Sequence, residues 1–122
     1  MIVRVASVVL TLAGSLALVS GLLFWLDYAA SLAAMHMLLG FLTVAALWTI
    51  GVAQALGRRG SWLIAAAALL IGALTVFLGL YQSSLLVGPL HWLIEVAHLT
   101  LGILTIGAGH MAAARYRKGG TA

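Results

Sequence analysis

His36 and His98 stand in matching segments. One reads His36-Met37-Leu38-Leu39-Gly40-Phe41-Leu42-Thr43 and the other His98-Leu99-Thr100-Leu101-Gly102-Ile103-Leu104-Thr105; both fit H-x-x-L-G-x-L-T, offset by 62 residues. Leucine matches cost little in an apolar chain, but the His, Gly and Thr matches cost more. Imidazole binds iron, copper and zinc. A closed zinc site needs four ligands, and the only neighbours that could complete one are His91 and Glu95. Cysteine is absent, which excludes disulfides, thiolate metal sites, iron–sulfur clusters and c-type heme attachment. Two histidines alone suit a heme iron, because the porphyrin fills the remaining positions. Gly40 and Gly102 each lie one turn from their histidine on the same helical face. A missing side chain there lets a flat ring lie against the backbone. The competing explanation is structural: glycine admits close helix packing in membranes, and a buried histidine bonds a carbonyl.

The elements that must hold these residues follow from composition. The 122 residues are 65 % apolar and 7 % charged, where a soluble domain carries about 25 % charged residues. Two acidic and six basic side chains cannot cover a water-facing surface. The chain reads as an integral membrane protein with one domain over 1–122, which excludes soluble enzymes and disordered adaptors. A membrane helix needs about 20 apolar residues. The charges then delimit four helices: about Val5 to Leu26, Ala30 to Leu56, from after Gly57-Arg58-Arg59-Gly60 to Tyr81, and Pro89 to Ala114. Arg4 ahead of the first apolar run resembles a signal peptide, but the run is long enough to span and reads as a retained helix.

Arg4, Arg58, Arg59, Arg115, Arg117 and Lys118 all fall at one set of helix ends, while the turns at Asp27-Tyr28 and Gln82-Ser83-Ser84 hold no basic residue. The positive-inside rule places both termini and the Arg58-Arg59 loop in the cytoplasm. The net charge of +4 is thus a topology signal and not a nucleic-acid one. The fold class expected is all-α: a four-transmembrane-helix bundle of two helical hairpins in parallel repeat. His36 and His98 then lie about 9 and 12 Å into helices that run in the same direction, and can face each other across the bundle.

His91, Glu95, His98 and Gly102 are spaced by four, three and four, which puts them on one face of the fourth helix. His91 is a candidate partner for heme propionates near the outer surface. Glu95 is the candidate catalytic carboxylate: a charge in hydrocarbon is costly unless it is paired or protonated. It fits three roles, namely a bond to a ligand histidine, proton handling beside a redox centre, or contact with a quinol or heme substituent. The alternative is one helix–helix hydrogen bond. His110 lies about 18 Å further inward, and its repeat counterpart is Trp48, so it reads as interfacial. Gly14, Gly21, Gly72 and Gly79 read as packing surfaces, and Trp25, Trp62 and Trp92 as an aromatic belt. Ser7, Thr11, Thr43, Thr75 and Thr105 can bond back to their own helices.

With two such histidines on the second and fourth helices, the layout resembles one half of heme A synthase, a family in which each half is a four-helix bundle holding a heme toward the outer side. The resemblance covers most of the chain and implies that His36 and His98 are axial ligands. Where that family's catalytic half carries a glutamate three residues before the histidine of its second helix, this chain has Ala33. Its Glu-x-x-His falls in the fourth helix, as Glu95 and His98, and the family's outer cysteine pair is missing. More loosely, the chain is similar to small four-helix b-type cytochromes of membranes.

The expectation is one heme b with His36 and His98 as ligands. It would serve electron transfer near the outer face of a bacterial-type inner membrane, with a quinol as a candidate partner. With almost no material outside the lipid, the chain is expected to act as a homo-oligomer or as a subunit of a respiratory or photosynthetic complex. Two alternatives stay open: a half-size relative of heme A synthase acting on heme through Glu95, and a heme-free structural subunit.

Overall fold

The computed structural model describes residues 1–26, 28, 30–57 and 61–120, less the side chains of Ala30 and Gly120. Asp27, Arg58 and Arg59, on which part of the orientation reading rests, lie outside the described residues. The described chain is helical, with no strand. Helix α1 runs Ile2–Trp25, α2 Ala33–Leu56, α3 Trp62–Tyr81 and α4 Trp92–Gly120; short 3-10 turns at Ala30–Leu32 and Gln82–Ser84 flank the upper connections. All four long helices are long and apolar enough to cross a membrane. Their outward surfaces carry large apolar side chains such as Leu12, Leu63, Leu70, Phe77 and Leu104, as lipid requires. Trp25, Trp62 and Trp92 sit at helix ends and are exposed, where an aromatic belt would place them.

Two helices start later than expected. Helix α2 begins at Ala33, because Ala30–Leu32 winds as a 3-10 turn. Helix α4 begins at Trp92 and not at Pro89. Residues 88–91 are held by a tight turn, with His91 N–H donating to the Gly88 carbonyl at 3.0 Å, and Gly88 takes φ 116°. That left-handed conformation suits glycine and stops the helix from propagating backward. Helix α4 also continues past Ala114 and carries Arg115, Arg117 and Lys118 on its last turns, where cations offset the helix dipole.

Helices α2 and α4 touch each other, and α1 and α3 each pack against both of them. The bundle is not uniform along its length. Val3, Ala6 and Leu10 of α1, Ala46, Leu47 and Ile50 of α2, Ala68 of α3 and Ala112 and Ala113 of α4 form one tight cluster. All belong to the half that carries the chain termini. Apolar attraction between helices is weak in lipid, so close van der Waals packing of small residues holds this half. A Cβ added at Gly51 would lie 2.8 Å from the Ala68 Cβ, and one at Gly72 would collide with the Trp48 indole. The hydroxyls of Ser7, Thr11 and Thr43 donate to carbonyls four residues back, as expected; those of Thr75 and Thr105 lie within reach of such carbonyls and also meet each other at 2.9 Å across α3 and α4, so one of them donates to the other.

Candidate functional site

In the opposite half the four helices part around a cavity of about 190 Å³. His36, His98, Gly40, Gly102 and Glu95 all line it. The His36 and His98 ring centroids are 6.3 Å apart with planes at 65°. Phe24 meets His36 edge-on, at 5.2 Å between centroids. Each ring rests against a glycine of a neighbouring helix. A Cβ at Gly21 of α1 would lie 3.2 Å from the His36 Cε1, and one at Gly79 of α3 would lie 3.0 Å from the His98 Cε1.

The second nitrogens differ. His36 Nδ1 is 2.9 Å from the Ser20 Oγ. His98 Nδ1 is buried with no hydrogen-bond partner; the Thr75 carbonyl lies toward that ring without reaching hydrogen-bond geometry. Among the described residues, no hydrogen bond uses Nε2 of either histidine.

Of the cavity-lining glycines, Gly40 and Gly102 are not packing glycines. A Cβ at Gly40 would meet nothing within 4 Å, and one at Gly102 would meet only the Leu18 Cδ2, at 3.6 Å. Helix contact therefore does not explain either glycine, unlike Gly51 and Gly72. What their missing side chains leave is room inside the cavity.

Glu95 sits in the first turn of α4 and lines the cavity beside Gln82. The positive end of the helix dipole favours a carboxylate there. The Glu95 carboxylate makes no hydrogen bond or ion pair to a described residue. His91 stands directly before α4, its carbonyl accepting from Glu95 N–H at 3.4 Å, and is absent from the cavity wall. Its Nδ1–H donates to the Leu85 carbonyl at 3.1 Å and closes the loop that contains Leu86 at φ 46° and Gly88. His91→Ala is expected to loosen that loop at a cost of about 1 kcal/mol, read as a small fall in Tm in detergent, and to leave ligand binding in the cavity unchanged. His110 Nε2 lies 3.3 Å from the Thr11 Oγ1 on the exposed surface, far from the cavity.

Two imidazoles at this separation can grip one metal ion between them. No group of three or more metal-binding side chains occurs among the described residues. Sequence reasoning did not single out Ser20, nor the contact of Gly21 and Gly79 with the histidines. A signal for the glycines was present: Gly14 and Gly21 repeat the seven-residue spacing of Gly72 and Gly79. Comparison with family models, curated proteins and solved structures finds no match for the chain.

Proposed function

We propose that the chain is a membrane b-type cytochrome binding one heme b, with His36 and His98 as axial ligands. The observation that carries the reading is the spacing of the two rings. A histidine nitrogen bonds a transition metal at about 2 Å and the ring centroid lies about 1 Å behind it, so trans imidazoles on one iron have centroids about 6 Å apart. The pair here stands at 6.3 Å. The open space over Gly40 and Gly102 supports it, because a flat macrocycle needs that room and a bare ion does not. Gly21 and Gly79 seat the rings, and Phe24 packs on one of them. The resemblance to one half of heme A synthase fits the same two histidines.

A heme held by two imidazoles supplies one-electron exchange, with both axial positions closed to oxygen. The polypeptide would hold such a group between the two rings and seat them against Gly21 and Gly79. We further propose two helical hairpins in parallel repeat, both termini cytoplasmic, and a bacterial-type inner membrane as the location. The cavity then opens toward the outer face, with a quinol as the candidate donor. The thin extramembrane surface favours a homo-oligomer or a subunit of a larger redox complex.

A second reading, an enzyme acting on a heme side chain, draws on one observation: Glu95 lines the same cavity as the histidine pair. One bundle offers one such cavity, so that version requires a dimer.

The test is the reduced-minus-oxidised spectrum of the chain purified in detergent after expression with added heme precursor. A sharp low-spin α band, with one heme per chain extracted as unmodified heme b, is expected. A folded, colourless preparation would overturn the reading. A chemically altered heme in the extract would favour the enzyme.

A further inference from the structure

The two histidines are not equivalent, and the difference traces to one hydroxyl. Ser20 Oγ is 3.0 Å from the Ala17 carbonyl and 2.9 Å from His36 Nδ1. A serine hydroxyl has one hydrogen, and a carbonyl can only accept. With that hydrogen given to Ala17, Ser20 Oγ is left to accept from His36 Nδ1–H. The Ala17 carbonyl also faces the His36 ring, and an acceptor there favours a proton on the near nitrogen. This arrangement favours the proton of a neutral His36 on Nδ1 and the lone pair on Nε2. Ser20 is buried at 5 % exposure, so water does not compete for this bond.

His98 has no such partner. Gly79 meets His98 as Gly21 meets His36, and the Thr75 carbonyl faces His98 as the Ala17 carbonyl faces His36. The residue in the place of Ser20, one before the glycine and three after the carbonyl, is Leu78. A leucine cannot relay, and His98 Nδ1 is left orphaned and buried.

We propose that Ser20 is a positioning residue that presets His36 as an Nε2 ligand, while Leu78 leaves His98 as the weaker ligand of the pair. The ligand role rests on the heme reading above; the tautomer does not. A hydrogen bond to the far nitrogen raises imidazole basicity and fixes ring orientation, and losing such a bond commonly weakens metal binding by about 10–100-fold.

The experiment has two arms on the full chain in detergent. The first is nitrogen-15 NMR of the histidine rings without heme. The Nδ1–H form is expected for His36 in the wild type and in Ser20→Thr, and a mixture in Ser20→Ala. In Leu78→Ser the new hydroxyl can bond the Thr75 carbonyl and is expected to move His98 to Nδ1–H. The second arm measures heme release and midpoint potential. Ser20→Ala is expected to lose heme about tenfold faster or more and to shift to a higher potential, because a less basic imidazole stabilises the oxidised iron less. Ser20→Thr should restore both values. Leu78→Ser should retain heme longer and shift the potential downward. An Nε2–H form of His36 in the wild type would overturn the role of Ser20 whether or not heme binds. Unchanged release and potential in Ser20→Ala would also overturn it, and an unmoved His98 in Leu78→Ser would overturn the role given to Leu78. Failure of every variant and of the wild type to bind heme would sink the cytochrome reading while the NMR arm still decides the relay.

Discussion

Alanine at His36 or at His98 is expected to abolish the low-spin α band of the heme-loaded protein. Each substitution deletes one of two coordinating nitrogens, and among the described residues no cluster stands ready to replace it. His91 is occupied by the Leu85 carbonyl, and His110 lies on the exposed surface beside Thr11. The single variants should retain some heme in a high-spin form, whereas the double variant should be colourless. Neither ring belongs to the tight cluster of the terminal half, so helix content by circular dichroism should stay at the wild-type value. Added imidazole should restore the low-spin band in His36→Gly, because the vacated space lies on the cavity wall and the opposite ligand is intact. Persistence of the wild-type band in either alanine variant would rule that histidine out as a ligand.

Leucine at Gly40 or Gly102 is expected to be nearly as damaging to heme binding and much less damaging to the bundle. A Cβ at Gly40 meets open space, and one at Gly102 meets only an ordinary contact with Leu18. The extra side chain therefore projects into the cavity and not into a neighbouring helix. Steric exclusion of the ring should lower heme content by at least tenfold, since about 1.4 kcal/mol of clash already costs that factor, and Tm of the heme-free protein should hardly change. Gly51→Val is the matched control: its Cβ has the Ala68 Cβ at 2.8 Å, and overpacking of this kind costs about 1–3 kcal/mol. It should lower Tm with heme absent. Heme content unaffected by both leucine variants would mean that the glycines do not face a bound ring.

The four spans could be read from the sequence because membrane helices are encoded by composition, and so few charges leave little ambiguity about where each run ends. The histidine pair and its glycines could be read because chemistry-bearing residues are rare in such a chain and their repeat stands out. The starts of α2 and α4 could not. They depend on a 3-10 turn at Ala30 and on the left-handed Gly88, local conformations that an apolar count does not sense. The Gly88 turn leaves His91 one residue ahead of α4 and off the cavity wall, which a count of residue spacings does not sense. The role of Ser20 is not legible in the sequence for a different reason. A serine in a membrane helix normally bonds back within its own helix, and Ser20 does so to Ala17; its second bond, to His36, exists only once α1 and α2 are packed.

The tight cluster joins residues near the two chain ends, Val3 and Ala6 with Ala112 and Ala113, through the middle of the bundle, while the cavity occupies the far half. The molecule is built like a clothes peg, clamped at one end and sprung at the other. If the proposed heme enters between the jaws, the clamp need not let go, and insertion into the lipid and loading are expected to be separable events. Amide exchange should show this order directly, with Leu47 and Ile50 protected in the empty protein and the residues around His36 and His98 gaining protection only after loading.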